Sequence, residues 1–466
     1  MSKCSSSRSR HEPTAGRPAG GAERARRLRK LGGALLVTAG LVATLGAAAA
    51  PATASSRTTA PTWRQLHPAK VPPARENGSM AYDPATHQVV LFGGLGNNIN
   101  SLADTWIWNG TTWKEVFPSH QPSARFGASL AYDGANHTLV LFGGEEVCCG
   151  LGDGGQLNDT WTWNGTTWKE LSPATSPGPR AYASMAYDPV GGLLVLFGGE
   201  NPNVYSFYGD TWTWNGRTWK EASASTSGLS ARDEASMAFD GGNHTLVLFG
   251  GSNSSGTDLN DTWTWSGTAW RQSAPAHSPP TLSAACMGYD GATNQLVLFG
   301  GEHAVTTPQL ENETWTWSGT SWTELNPSAK PPARSAATMA YDATSEQLLV
   351  FSGYPSLDDT WSWGVPVRLP GDPRFLKATA GRDKVTLSWK APTPQSGGAV
   401  AGYDVFEGTK SGHESSTPLN ASPLSAHADS YVVTGLKKGH RYYFIVRAVN
   451  AAGVGAPSNQ VSAVPT

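Results

Sequence analysis

The chain has 466 residues, with 34 Lys+Arg against 36 Asp+Glu for a net charge of −2, and 39% of its residues are hydrophobic. That apolar content builds cores and excludes wholesale disorder, while 53 Gly without an every-third-residue period exclude a collagen-like fibre. No long basic region lies beyond the first 30 residues, which argues against a nucleic-acid binder.

The elements begin with a leader. Residues 24–30 read Arg-Ala-Arg-Arg-Leu-Arg-Lys, residues 31–50 carry no charge, and Ala52-Thr53-Ala54 closes with small residues. This order of basic, apolar and small segments predicts a signal peptide over residues 1–54, cleaved after Ala54. The general secretory route fits, and so does twin-arginine export, given Arg26, Arg27 and the weakly hydrophobic stretch. An uncleaved anchor is the alternative, since about 20 apolar residues cross a bilayer. Cleavage leaves 25 basic and 34 acidic residues, a net charge of −9. The expected product is secreted and extracellular, with no affinity for nucleic acid and no integral membrane partner.

Residues 61–363 then repeat about every 50 residues. Phe-Gly-Gly recurs from Phe92, Phe142, Phe197, Phe249 and Phe299, with Phe351-Ser352-Gly353 as a degraded sixth copy. A Trp-x-Trp pair recurs from Trp106, Trp161, Trp212, Trp263, Trp315 and Trp361. Each unit reads as four strands. Strand a is the Ser-Met-Ala-Tyr-Asp type beginning at Ser79. Strand b is a continuous apolar run such as Val89 to Phe92, which needs burial on both faces. Strand c alternates Thr and Trp with period two, and an Asn-Gly or Ser-Gly turn suited to a hairpin leads to a third Trp in strand d.

The sixth unit stops at Trp363 without a strand d, and Thr62-Trp63-Arg64-Gln65-Leu66 supplies one ahead of the first strand a. A closed ring whose N-terminal strand 62–66 completes the sixth sheet accounts for 18 of the 19 Trp and leaves no open edge. The paired glycines, the downstream Trp and the period resemble Kelch repeats, which implies a six-bladed propeller over residues 55–365. Pro366, Pro370, Gly371 and Pro373 mark a linker over residues 366–373.

Residues 374–466 carry short alternating strands near 384–389, 402–406 and 442–450, sized for a sandwich of about seven strands. The lone Trp389, Gly402-Tyr403-Asp404-Val405, Thr434-Gly435-Leu436 ahead of Tyr442, and Asn450 followed by Gly453 and Ser458 resemble a fibronectin type III domain. The expected fold class is all-β: a six-bladed Kelch-like β-propeller followed by an immunoglobulin-like fibronectin type III β-sandwich. The second resemblance implies a spacer of the sort that accompanies carbohydrate-active domains in secreted bacterial proteins.

Strand order puts the d–a and b–c loops on one propeller face and the a–b and c–d turns on the other. The b–c loops (95–103, 145–158, 200–209, 252–260 and 302–312) differ most between units, and variable loops on a repeated scaffold are where binding sites form. Arg75, Arg125, Arg180, Arg232 and Arg334 each stand seven residues before the aromatic of strand a, with Leu282 in the fifth unit. Glu145, Glu200 and Glu302 directly follow a Gly pair. These are the expected ligand-binding residues, a mixed Arg/Glu ring suited to hydroxyl-rich or zwitterionic ligands. Bridging between blades is the alternative role for residues that repeat.

Tyr205, Phe207 and Tyr208 occur in one loop only and join the ligand-binding set, because exposed aromatics stack on sugars and contact proteins. Asp104, Asp159, Asp210, Asp261 and Asp359, with Glu313 as a variant, are expected to serve the scaffold at the entry to strand c. His87, His137 and His244 fall in turns on the opposite face. Adjacent Cys148 and Cys149 are candidates for a vicinal disulfide, and Cys286 takes a strand-a slot held elsewhere by Ser or Thr.

The expected function is a secreted noncatalytic binding protein whose partner is a glycan or a cell-surface protein. No catalytic residue, metal ligand or cofactor is assigned. The first alternative is a glycosidase, which needs two carboxyl groups about 5–10 Å apart and would draw on Glu145, Glu200 and Glu302. The remote alternative is a galactose-oxidase-like copper enzyme, implied because that family is also Kelch-like. It needs a Tyr crosslinked to Cys and two His ligands, whereas Cys286 lies within a strand and His303 is the one His in a b–c loop.

Overall fold

The structure, a computed structural model, describes residues 60–147, 155–204, 206–222, 228–303, 309–365, 369–393, 400–450 and 453–466. Six four-stranded antiparallel sheets follow one another, each ordered a-b-c-d, and the described residues contain no α-helix. In blade 1 the strands are Ser79–Asp83, Gln88–Phe92, Thr105–Trp108 and Trp113–Val116. In blade 6 strands a to c are Thr338–Asp342, Gln347–Phe351 and Thr360–Gly364, and strand d is Thr62–Leu66, with Trp63 opposite Trp363. The all-β, six-bladed architecture is the one the repeats imply.

The core lies between blades. Strand b is apolar on both faces because each face meets a neighbour: Val89, Val90 and Leu91 are all fully buried. On one side Val89 and Leu91 share a cluster with Leu349 and Phe351 of blade 6, and on the other Val90 and Phe92 pack against Leu139 and Leu141 of blade 2. Two side-chain rings lock these interfaces. Every strand-d Trp donates its indole N–H to a strand-c Thr of the preceding blade, at 2.8–3.1 Å: Trp113 to Thr360, Trp168 to Thr105, Trp219 to Thr160, Trp270 to Thr211, Trp322 to Thr262 and Trp63 to Thr314. The same Trp rings sit 4.7–5.7 Å from the strand-b Phe of that preceding blade, Phe351, Phe92, Phe142, Phe197, Phe249 and Phe299. Each buried hydrogen bond contributes about 1 kcal/mol, and each aromatic pair about as much again beyond its burial.

A third ring is built of backbone alone. Gly127, Tyr182, Glu234, Ala284, Ala336 and Asn77 each donate a backbone N–H to the carbonyl of the same position one blade back, at 2.8–3.1 Å, and Asn77 to Ala336 closes the circle. All six have φ between +52° and +63°, a conformation that costs a non-glycine residue about 1 kcal/mol or more. Closure over-determines it.

The degraded Phe-Ser-Gly has a local cause. In the other blades a Cβ on the first glycine would collide with a backbone carbonyl, as at Gly93, where it would come 2.5 Å from the Arg125 oxygen. Ser352 holds the same positive φ, +60°. Its hydroxyl donates to the Arg75 carbonyl at 2.5 Å and accepts from the Arg75 N–H at 2.8 Å, so the contact is a pair of hydrogen bonds.

The C-terminal sandwich sets Arg374–Gly381, Lys384–Lys390 and Ser430–Thr434 against a sheet built on Gly402–Gly408 and Tyr442–Asn450. Trp389, Tyr403, Leu387, Phe444 and Val446 fill its core. Tyr442 accepts the Lys437 N–H at 3.0 Å through its hydroxyl, a corner contact typical of immunoglobulin-like sandwiches.

Candidate functional site

The five arginines do not face a ligand. Arg75 is 0% exposed and clamps Asp104 through both terminal nitrogens at 2.7 Å. It also donates to the Gly93 carbonyl at 2.8 Å and the Pro73 carbonyl at 3.0 Å. The other oxygen-rich end of the clamp is equally occupied, since Asp104 accepts the Trp106 indole N–H at 2.6 Å. The same three-part unit recurs as Arg125 with Asp159, Arg180 with Asp210, Arg232 with Asp261 and Arg334 with Asp359. Burial pushes the Asp210 and Asp261 carboxyls up, but the hydrogen bonds and charge of Arg180 and Arg232 outweigh it and hold both below the usual range. The expectation of an Arg/Glu ligand ring is therefore corrected for Arg75, Arg125, Arg180, Arg232 and Arg334. A bidentate carboxylate two elements away neutralises each of them, and backbone carbonyls take the Nε–H and the second Nη1–H.

Blade 5 departs from the unit at both ends. Leu282 replaces the arginine and is buried, and Glu313 replaces the aspartate while still accepting the Trp315 N–H at 2.9 Å.

At the axial mouth Glu145 stands within electrostatic reach of Glu200, and Glu302 within reach of Glu76. The residue after each Arg position pairs with the residue after each Gly pair, giving one short antiparallel rung per blade: Glu76 with Leu95, Phe126 with Glu145, Ala181 with Glu200, Asp233 with Ser252, Ser283 with Glu302, and Ser335 with Tyr354. These twelve residues and the six of the backbone ring include six carboxylates, Glu76, Glu145, Glu200, Asp233, Glu234 and Glu302, and no Lys, Arg or His. Burial, reinforced by Glu302 and Glu234, pushes the Glu76 carboxyl up to about 7. Burial together with Glu200 does the same to Glu145, against a lowering hydrogen bond from Gln156. Tyr354 is raised by burial, then by Glu76 and Glu302. Phe126 and Tyr182 add a ring pair with centroids 6.0 Å apart.

The mouth is thus acidic and aromatic rather than zwitterionic. Sequence reasoning missed Glu76, Asp233, Glu234, Phe126, Tyr182 and Tyr354. Their signal is that the two positions after each Arg slot, and for Tyr354 the position after the Gly pair, change from blade to blade while their neighbours repeat.

The aromatic trio divides. Phe207 is half-buried and pairs with Glu200. Tyr208 packs over Arg180, with the guanidinium 3.9 Å from its ring centre, and donates to the Pro179 carbonyl at 3.3 Å, so it covers the clamp and is no free platform. Tyr205, Cys148 and Cys149 lie outside the described residues. His87, His137 and His244 end the a–b turns of the other face with φ of +53° to +54°.

Among the described residues no three His, Cys, Asp or Glu side chains stand close enough to share a metal. Cys286 is buried inside strand a and its thiol is pushed up to about 12 by burial, while His303 pairs with Glu311 at 3.2 Å. These side chains do not fit the copper set of a galactose-oxidase-like enzyme.

Residues 30–216 and 186–363 match the KLHDC2/KLHL20/DRC7 Kelch-repeats domain, and residues 371–464 match the fibronectin type III domain. The M-protein of striated muscle from Gallus gallus is 41% identical over 90 residues, 19% of this chain and 6% of that protein. The Kelch domain-containing protein SSO1033 from Saccharolobus solfataricus is 33% identical over 96 residues, 21% of this chain and 12% of that protein. The chain therefore spans a small part of the curated relatives it matches. A solved structure titled "Structure of YjhT" is similar with a TM-score of 0.49 at 16% identity, over 63% of this chain and 95% of that one.

Proposed function

The chain belongs to the Kelch-repeat family and carries a fibronectin type III domain, and on that premise we propose that it is a secreted, noncatalytic binding protein that grips a cell-surface partner with the mouth-bearing face of its propeller. Both domain types typically mediate protein–protein binding, and the fibronectin domain acts here as the spacer. One observation carries the reading. Residues that repeat from blade to blade are engaged in the scaffold, whereas those that differ gather at one mouth. With every mouth-side arginine neutralised, the six carboxylates set the partner's chemistry: basic or hydroxyl-bearing groups on a protein or its glycans.

The test uses the full exported chain on intact cells. Glu145→Gln, Glu200→Gln and Glu302→Gln combined lower binding at least tenfold, and His137→Ala on the opposite face leaves it unchanged. Protease treatment of the cells abolishes binding to a protein partner, periodate treatment abolishes binding to a glycan, and unchanged binding by the triple variant rejects the mouth. N-terminal sequencing of protein from the medium begins at Ser55.

A second reading, a polysaccharide-cleaving enzyme, is favoured by one fact. Glu76 and Glu145 are raised to about 7 beside other carboxylates, and glycoside cleavage needs a protonated acid next to an ionised partner. Release of reducing ends from a polysaccharide panel, lost in Glu145→Gln, distinguishes it.

A further inference from the structure

The fibronectin domain and the propeller carry charges of opposite sign. Residues 55–365 hold 14 basic and 28 acidic residues, a net charge of −14, whereas residues 374–466 hold ten basic and five acidic, a net charge of +5. Four of those cations share one surface. In the sheet of Arg374–Gly381, Lys384–Lys390 and Ser430–Thr434, Leu387 and Trp389 point into the core, so the alternate residues of the strand point outward. Cross-strand partners share a face, which sets Lys377 beside Ser388 and Arg374 beside Lys390. The outward positions of the three strands hold four cations, five hydroxyl side chains and no carboxylate. Asp383 and Asp429, which flank the strands, are engaged by Arg382 at 4.0 Å and by the Ser430 hydroxyl at 3.1 Å. At the Arg374 end the first strand bulges, and Phe375 stands 63% exposed at φ +56°. It joins no core cluster among the described residues, so the fold gains no burial in return for an exposed ring on a strained backbone.

We propose that this sheet face binds a linear acidic polysaccharide, a chain of sugar rings that carry carboxylates. Lys384 and Lys390 stand on one strand with about 20 Å between them, so a small anion cannot touch both and a chain laid along the strand can. Lys377 meets that path from the neighbouring strand. The hydroxyl side chains between the cations offer hydrogen bonds to sugar hydroxyls. Phe375 supplies a bare ring for a sugar face to stack on. The Arg374 guanidinium lies 5.6 Å from the centre of that ring, its Nε–H fixed by the Ala391 carbonyl at 3.1 Å, placed to hold the carboxylate of the stacked sugar. A bulge that aims one aromatic side chain into solvent serves recognition rather than packing. A polyanion without sugar rings leaves the hydroxyls and Phe375 unused, and a neutral glycan leaves four cations without a counter-charge. The inference gives the spacer domain a grip of its own and does not rest on binding at the axial mouth, whose carboxylates repel the same polymer.

Affinity electrophoresis and calorimetry on the full chain test this with polygalacturonate and hyaluronate. Dextran serves as the neutral polymer, polyphosphate as the polyanion without sugar, and phosphatidylglycerol vesicles as the anionic membrane. At least one acidic polysaccharide binds, and dextran, polyphosphate and the vesicles bind at least tenfold more weakly. Lys377→Gln combined with Lys390→Gln lowers that affinity at least tenfold. Phe375→Gly lowers it at least fivefold and leaves the melting midpoint unchanged or higher, because glycine relieves the positive φ and no core contact is lost. A side chain kept for the fold would lower the midpoint instead. Lys410→Gln, outside this sheet, leaves binding within twofold. The proposal is overturned if neither acidic polysaccharide binds, or if dextran, polyphosphate or the vesicles bind as well. Full affinity in either face variant, a loss in Phe375→Gly that only follows a lowered midpoint, or an equal loss in Lys410→Gln overturns it too.

Discussion

At the scale of single residues, the arginines decide how a mutant should be read. Arg125→Ala leaves Asp159 with its Trp161 bond but without its cation, in a site where the arginine is 1% exposed. Removing one partner of such a pair costs about 3–5 kcal/mol. The expected result is a fall in thermal midpoint by circular dichroism, with partner binding retained wherever the protein is still folded. A loss of binding at unchanged stability would return the arginine to the site.

Glu76 and Glu145 make an opposite prediction about pH. Their folded pKa values lie near 7, above the ordinary carboxyl value of about 4.3 that the unfolded chain shows. The folded state therefore holds more protons between pH 4.5 and 7, and stability falls as pH rises through that window. Each group costs up to about 3 kcal/mol above pH 7. Melting midpoints should be higher at pH 5 than at pH 8, and Glu145→Gln should shrink the difference by raising the pH 8 value. Asp210 and Asp261 act in the other direction and below this window, since their folded values are lowered.

At the scale of the element, Ser79, Ser129, Ser184 and Ser236 each donate a hydroxyl to a backbone carbonyl of the next blade at 2.6–2.7 Å. Cys286 breaks the series and turns its thiol to Phe299 within its own blade, at 3.4 Å. Cys286→Ser should restore a bond to the Ala337 carbonyl and stabilise by about 1 kcal/mol, read as a rise of about 2–4 °C in the midpoint. The strands were legible in the sequence because each signal was local: Thr-Trp alternation, an apolar run and an Asn-Gly turn all act within a few residues. The clamps were not, because Arg75 and Asp104 stand 29 residues apart and only the packed loop reveals that the carboxylate takes both guanidinium nitrogens. Glu76 and Asp233 were hidden for a different reason. They sit beside the most regular residue of the repeat, and their rung partners lie across a loop.

At the scale of the whole molecule, closure is what makes the mouth a site. The three rings run through every interface, and each passes through the junction of blade 6 with its neighbours: Trp113 to Thr360, Trp113 against Phe351, and Asn77 to Ala336. Deleting Thr62–Leu66 leaves strand Thr360–Gly364 as an open edge and removes a Trp that is 1% exposed. It also empties the space beside Phe299 and Trp363. Loss of a buried Trp side chain alone costs about 3–5 kcal/mol, and an unpaired edge adds a tendency to aggregate. For a ring of this size the expected fall in midpoint is 10 °C or more, with aggregation seen by light scattering. Because the positive-φ backbone ring persists only under closure, the deletion should also abolish partner binding at temperatures where individual blades keep their strand signal. A deletion variant that keeps its midpoint would mean that the blades hold without the ring, and the mouth would lose its fixed geometry with them.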